Sequence, residues 1–357
     1  MKTIRKICGI ATWYVPNRTP ISLRTEERLQ RFHIKWKNFS HLHNTDETYE
    51  FLKRFKGLKR VDNYIKAYKL YQARLNAPGL STEDAEALLL DKEREKEELE
   101  TYKTVERIVS HRDSAEASNG TDYFCKWTGL NYEHCTWEDE SEIRAIAKAQ
   151  IVAYRAREVE AKFPYKSVQY ARHQRPAFQK IVKDPEYISA TGGELKDFQL
   201  TGLNWLAYLW TKGENGILAD EMGLGKVQHS LFLLLFYHAD CFVQTVQTVA
   251  FISYLFHEMH QYGPFLVIVP LSTITAWQSQ FATWAPELNV ITYIGTAAAR
   301  EVIRTYEFGP SNKRLKMNVL LTTYELTLRD AKELADIKWQ VLAVDEVRSR
   351  VVQVALR

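Results

Sequence analysis

At 357 residues the chain has room for two or three domains, each able to bury a core of its own. Its 45% hydrophobic and 26% charged residues are ordinary globular values, and a net charge of +4 is too small to argue by itself for a nucleic-acid binder. The four cysteines (Cys8, Cys125, Cys135, Cys241) form no C-x-x-C pair, so neither a disulfide framework nor a zinc site is indicated, and a reducing compartment fits.

Taken in order, residues 1–30 show no clear period and read as an atypical N-terminal segment. Met1 to Val15 has a basic start and a short apolar run, but no small-x-small cleavage site follows it, so a secretory signal is not expected. From Phe32 the pattern sharpens: Phe32-His-Ile-Lys-Trp-Lys-Asn-Phe-Ser-His-Leu-His-Asn-Thr45 reads as an alternating strand and a turn. About ninety residues later a second copy appears, Tyr123-Phe-Cys-Lys-Trp-Thr-Gly-Leu-Asn-Tyr-Glu-His-Cys-Thr-Trp-Glu138, preceded by its own strand Thr104–Val109. A helix-like stretch follows each copy, so the front half is a duplicated β unit capped by helix, over 31–80 and 102–162. One copy has Asp46 where the other has Trp137. Between them, Ser81 to Glu100 reads as a capped helix with Ser81 or Thr82 as N-cap, within an acidic linker over 81–101. That helix is either a solvated one laced by i,i+4 pairs or an acidic wedge that imitates phosphates.

Residues 163–193, rich in Pro, Gln and basic residues and ending in Gly192-Gly193, read as a linker. Glu194 to Trp210 has helical apolar spacing, with Gln199 near its start; a glutamine amide can read an adenine edge by donating and accepting at once. Then comes Gly216-Ile-Leu-Ala-Asp-Glu-Met-Gly-Leu-Gly-Lys226, read as a short strand from Gly216 to Ala219 feeding a glycine-rich turn. In such a turn the backbone N–H groups at Gly223, Leu224 and Gly225 converge on an anion, and Lys226 supplies a point charge for the outer phosphates. The usual G-x-x-x-x-G-K-[ST] pattern wants Gly at 220 and Ser or Thr at 227; Asp220 and Val227 stand there instead. Leu231 to Tyr237 is apolar but only seven residues long, too short to cross a bilayer, and no membrane partner is expected.

Four apolar runs follow, 265–270, 289–294, 318–324 and 340–346, alternating with helical patterns at 273–285, 297–308 and 325–336. Repeated β-α units predict a doubly wound α/β sheet of buried parallel strands. The last run ends in Asp345-Glu346, at the carboxyl edge where parallel sheets bind ligands. Such a pair suits a Mg²⁺ ion held at Asp345, with Glu346 orienting an attacking water.

With these residues in hand, the two front copies resemble paired chromodomains. Gly216 to Lys226, Pro270-Leu-Ser-Thr273, Trp284-Ala-Pro286, Leu320 to Glu325 and Val344-Asp-Glu346 resemble the ordered motifs of Snf2-type ATPases. Together, over about residues 31–346, the chain resembles the chromodomain–helicase–DNA-binding remodellers. The resemblance implies a multidomain chain of two small α+β chromodomains followed, over 194–357, by a RecA-like ATP-binding lobe. It implies a nuclear protein that slides nucleosomes with ATP and Mg²⁺, its partners being the nucleosome, DNA and the histone H3 tail. By resemblance Lys226 meets the β/γ-phosphates, Gln199 the adenine, and Asp345 and Glu346 the metal and water. Ser272, Thr273 and Thr323 would touch the DNA backbone. Trp36 and Phe39, and Trp127 in the second copy, fall on positions of a methyl-lysine cage; the other reading of these tryptophans is barrel core. Lys103 falls where the second copy's cage would need a ring.

Three departures bear on activity. The family's Thr-Val-Gln-Thr after the loop lysine stands here at Thr245–Thr248, behind an insertion over 227–244, which displaces the metal-binding hydroxyl of Thr245. After Glu346 an unrelated tail, 347–357, is read, and the second ATPase lobe is expected to be missing from the chain as written. Both breaks begin with valine, whose codons start GT, and the first ends in glutamine, which CAG encodes; translated introns would give this pattern. For the chain as written the alternative function is a non-catalytic chromatin-binding fragment, and the insertion is expected to loop out at the mouth of the nucleotide site.

Overall fold

The computed structural model describes residues 3–12, 30–113, 120–159, 162–170, 174–218, 242–309 and 314–345. They fall into two compact units, 1–154 and 155–357.

In the first unit the duplication is visible hydrogen bond by hydrogen bond. One copy is an antiparallel sheet of β1 (Ile4–Thr12), β2 (Gln30–Trp36) and β3 (Thr45–Thr48); the other is β4 (Val105–Asp113), β5 (Thr121–Trp127) and β6 (Thr136–Asp139). Ile4 pairs Trp36 and Ile7 pairs Ile34, just as Val105 pairs Trp127 and Ile108 pairs Cys125, with register shifts at the same two steps. In both copies the indole N–H is satisfied by a threonine nine residues on: Trp36 donates to Thr45 Oγ1 at 2.9 Å and Trp127 to Thr136 Oγ1 at 3.0 Å. The N-terminal segment, patternless in sequence, therefore supplies the first strand of the first copy. Its signal was the match of Ile4-Arg-Lys-Ile7 to Val105-Glu-Arg-Ile108.

Each sheet closes over its own core. Ile4, Ile7, Phe32, Ile34 and Trp36 bury with Leu52 of α1 (Tyr49–Leu52) and Val61 of α2 (Leu58–Leu75). Val105, Ile108, Tyr123, Cys125 and Trp127 bury with Ile143 of α4 (Glu140–Ile146) and Ile151 of α5 (Lys148–Arg157). At one matched cross-strand position the chemistry is exchanged. His33 faces Asp46 through a 2.8 Å ion pair, whereas Phe124 stacks on Trp137 at 4.9 Å with the Arg112 guanidinium 4.4 Å from the Trp137 ring. The helix between the copies, α3 (Thr82–Thr101), is capped as its sequence predicts: Ser81 Oγ accepts from Asp84 N at 3.0 Å. None of its residues is buried.

The second unit is built on a four-stranded parallel sheet in the order β10-β7-β9-β8, with β7 (Phe265–Ile268), β8 (Val290–Tyr293), β9 (Val319–Thr322) and β10 (Val341–Val344). β7 and β9 are buried throughout, as their unbroken apolar runs require. β10 is half-exposed, with Leu342 at 40%, because it is the edge of the described sheet. The helices are α6 (Glu186–Ser189), α7 (Asp197–Lys212), α8 (Phe242–His257), α9 (Ile274–Trp284), α10 (Ala297–Tyr306), α11 (Tyr324–Arg329) and α12 (Ala331–Ala335). The helix expected at 325–336 is split at Asp330, whose carboxylate binds arginines rather than continuing the turn.

The bridge expected over 163–193 does not stand clear of the second unit: Ile188 lies in the core, Tyr170, Phe178, Ile181 and Tyr187 pack against it, and Gln261 Nε2 donates to Val168 O at 2.6 Å. Its aromatic residues give it apolar surface to bury. Nor does the expected strand from Gly216 form over Gly216–Leu218. Past the left-handed Gly213 the chain folds back on α7, and a Cβ at Gly216 would lie 2.3 Å from Leu209 Cδ1 and 2.7 Å from Trp205 Cη2.

Candidate functional site

Because the four strands are parallel and in register, their carboxyl ends form one row. Val344, Ile268, Thr322 and Tyr293 are mutual partners across the sheet, so the residues one step on are Asp345, Val269, Thr323 and Ile294. The row is pinned by Asp345 N donating to Ile268 O and Val269 N to Thr322 O, each at 2.9 Å. Pro270 then ends β7 and turns the chain into a 3-10 turn, Leu271–Thr273, with Ser272 exposed and Thr273 half-buried, its hydroxyl donating to Pro270 O at 3.1 Å. Thr323 is 7% exposed. The sheet thus brings Asp345, Ser272, Thr273 and Thr323 to a single edge.

Sequence reasoning missed two residues there. Trp277 of α9 donates its indole N–H to Asp345 Oδ2 at 3.0 Å, and the Tyr324 hydroxyl donates to the Asp345 carbonyl. Trp277 and Phe281 share one face of α9, a spacing that reads as plain core, and the polar handle of the indole carries the extra information. Beyond β8 lies a second missed cluster. Arg300 Nε and Nη2 donate to the two oxygens of Asp330 at 2.6 and 3.1 Å, Arg304 Nη1 reaches Oδ2 at 3.2 Å, and the Tyr293 hydroxyl donates to the same oxygen. Burial opposes ionisation of Asp330, yet the hydrogen bonds from Arg300 and Tyr293 and the two guanidinium charges hold its pKa below the ordinary value. Burial, reinforced by Asp330, pushes the Tyr293 phenol up. This network anchors α10 and the α11–α12 break beneath the same edge.

Gln199 and Thr245 stand at the starts of α7 and α8. Gln199 is buried and its Oε1 accepts from Lys196 N at 2.9 Å, so one lone pair of the expected adenine reader serves to cap its own helix. Gln247 Nε2 donates to Phe198 O at 3.3 Å and rests where a Cβ on Gly202 would be, holding the two helix starts together. Thr245 is 4% exposed. Gly223, Leu224, Gly225, Lys226 and Glu346 lie outside the described residues, as do 227–241 of the expected insertion; 242–244 belong to α8.

In the first unit the tryptophans take the core reading. Trp36 is 2% and Trp127 1% exposed, the burial that the barrel-core reading of these tryptophans expects. The cause is in the packing: Trp36 meets Phe55 edge-on at 5.1 Å, and both indoles spend their N–H inward. Phe39 is 40% exposed and contacts His43. By register, Lys103 of the second copy matches Lys2 of the first, which lies outside the described residues; neither is aromatic. The copies are held to each other by His43 Nε2 on Glu138 Oε2 at 2.6 Å, by Arg5 on His134 at 3.1 Å, and by Leu42 packing against the second copy's core. Among the described residues no helix is long and apolar enough to cross a membrane.

Comparison with known proteins agrees with this division. The family model of the chromo (chromatin organisation modifier) domain matches residues 103–157, and that of the SNF2-related domain matches 198–350. The chain is 44% identical over 317 residues to chromodomain-helicase-DNA-binding protein 1 of Gallus gallus and 43% identical over 317 residues to that of Homo sapiens. It is 39% identical over 321 residues to protein CHROMATIN REMODELING 5 of Arabidopsis thaliana. Each match covers 88% of this chain and 17% of the relative, so the chain spans about a sixth of the length of the curated relatives it matches. With a chromodomain ahead of an SNF2-related domain and this identity along most of its length, the chain fits the chromodomain–helicase–DNA-binding family of Snf2-type remodellers.

Proposed function

We propose that the chain joins a tandem-chromodomain module to the first, ATP-binding lobe of a DNA-dependent ATPase that slides nucleosomes in the nucleus. The observation that carries this reading is the row at the carboxyl edge, where Asp345, Thr323 and the Ser272–Thr273 turn stand together on one parallel sheet. In this reading Gln199 takes the adenine, and Gly223, Leu224, Gly225 and Lys226 take the phosphates. Glu346 orients the attacking water and accepts its proton. The hydroxyls of Ser272, Thr273 and Thr323 donate to phosphate oxygens of one DNA strand. ATP, when bound, supplies the phosphoanhydride whose cleavage powers movement. The carboxylate of Asp345, half-exposed at the sheet edge, is the hard oxygen donor that Mg²⁺ prefers. Thr245 fits the ion poorly where it stands, buried within the first turns of α8. The front module meets the nucleosome and the H3 tail.

A second reading rests on a different observation. Eighteen residues, 227–244, separate Lys226 from Thr245, and Gly216–Leu218 lies on α7 instead of extending into the sheet. On this reading the chain as written binds chromatin without turnover, and 227–244 and 347–357 are translated introns. A DNA-stimulated ATPase assay on the chain separates the two. Turnover that rises with added duplex DNA supports the motor; no turnover, with retained nucleosome binding, supports the second reading.

A further inference from the structure

Where the two copies of the first unit meet, three side chains able to ligate a metal converge. His43 ends the 3-10 turn His41–His43 of the first copy. Glu138 lies in β6 of the second copy, and Glu142 in the first turn of α4 directly after it. His43 Nε2 is 2.6 Å from Glu138 Oε2 and 3.8 Å from Glu142 Oε2, and the three atoms all lie within 4.8 Å of one another. Among the described residues neither carboxylate has a lysine or arginine partner, so a single imidazole faces two acids.

Glu138 is the member whose charge is costly to leave uncompensated, its side chain being 3% exposed. It is also held from behind. Thr136 Oγ1 accepts the Trp127 indole N–H at 3.0 Å and donates its own proton to Glu138 Oε1 at 2.5 Å, which aims Oε2 at His43. A carboxylate oriented by such a hydrogen bond is the usual form of a ligand in a built metal site. The duplication supplies a contrast. His134, the counterpart of His43 in the second copy, faces the Arg5 guanidinium at 3.1 Å, a cation that no metal site keeps beside its ligand.

We propose that His43, Glu138 and Glu142 form a site for a divalent transition-metal ion of the zinc type, bridging the two copies. One imidazole nitrogen and two carboxylate oxygens are a donor set that zinc accepts, with water in the fourth position; calcium and magnesium take oxygen alone. Ligand atoms ~2.0 Å from a tetrahedral ion stand about 3.3 Å apart. The observed 2.6 and 3.8 Å straddle that spacing, so shifts of under about 1 Å seat the ion, which replaces the proton held between His43 and Glu138. The route in is open, since the side chain of Glu142 is 52% exposed. A plain histidine–glutamate ion pair accounts for His43 and Glu138 but leaves Glu142 without a part. The ion ties the turn of the first copy to β6 and α4 of the second, and the site is independent of the nucleotide-binding reading.

The test is calorimetric titration of the full chain with Zn²⁺ at about pH 7.5, where a free imidazole is neutral. Glu142→Gln removes the exposed ligand without opening the core, and it should weaken the tightest Zn²⁺ site by at least about tenfold. His43→Gln should weaken it as much or more. Glu140→Gln is the control: it lies on the same helix, but its carboxylate holds Arg144 at 2.7 Å, and Zn²⁺ affinity should not change. Zn²⁺ should raise the melting temperature of the wild type and not of Glu142→Gln, and an excess of Ca²⁺ or Mg²⁺ should not displace it. With Co²⁺ as the probe, visible absorption bands should appear in the wild type and be lost in His43→Gln. Circular dichroism checks folding; if His43→Gln unfolds, Glu142→Gln decides alone. Unchanged Zn²⁺ affinity in Glu142→Gln, an equal loss in Glu140→Gln, or displacement by Ca²⁺ would overturn the proposal.

Discussion

Trp277 and Asp345, 68 residues apart in the chain, meet at 3.0 Å, the indole N–H on Oδ2. The bond fixes the orientation of the acid that closes the strand row, and it leaves Trp277 almost fully buried against the sheet. Replacing Trp277 with Phe keeps most of the apolar contact and removes the donor. The expected cost is about 1–2 kcal/mol of stability in the second unit. A double-mutant cycle with Asp345→Ala, read by urea denaturation, should return a coupling of about 1 kcal/mol; strict additivity would mean the bond is not made in solution.

His41 gives the first unit a pH response. It is 6% exposed and its pKa is lowered to about 4, by burial first and then by the charges of Lys35 and Lys6. The unfolded chain therefore takes up this proton before the folded one does. The stability tied to the neutral imidazole is complete above about pH 6.5 and is lost as the pH falls toward about 4, by about 3 kcal/mol at the end. Thermal melts of wild type and His41→Gln across that window should converge as the pH drops. Parallel curves would show that His41 titrates normally.

The first strand can be tested in the same way. Ile4 is fully buried, and Gly57, at φ +105°, brings its backbone against the Ile4 carbonyl. Ile4→Ala should cost about 2–4 kcal/mol, a core substitution in a segment that looks like a tail. Leu70→Ala, at a site 72% exposed, should be near neutral. Equal, small effects would detach β1 from the first sheet.

Much of this architecture was legible because the patterns were long or repeated. The Lys-Trp strand and its closing threonine recur after 91 residues, and the Trp-to-Thr hydrogen bond explains why both copies keep that spacing. The four sheet strands declared themselves as apolar runs bounded by turns, and Ser81 announced its helix through its cap. What stayed hidden depended on distant partners. β1 has too weak an alternation to read alone and is a strand because Ile4 and Ile7 pair with Trp36 and Ile34. The burial of Trp36 and Trp127 follows from what packs on their faces, which no local motif states. Gly216–Leu218 has the composition of a strand, yet α7 offered it a closer surface than the sheet did. At the site, Asp345 was visible as a strand-end acid, while Trp277 and Tyr324 read as ordinary members of helices.

The most direct test of the account is titration of a fluorescent ATP analogue with Mg²⁺ into the chain and into a version lacking residues 227–244, each with and without Asp345→Asn. On the proposed reading, in which 227–244 separates the phosphate loop from its helix, the deletion tightens binding by about tenfold or more and Asp345→Asn abolishes the Mg²⁺-dependent part of that gain. Nucleotide affinity that is the same with and without the insertion, or indifferent to Asp345 in both, would contradict it.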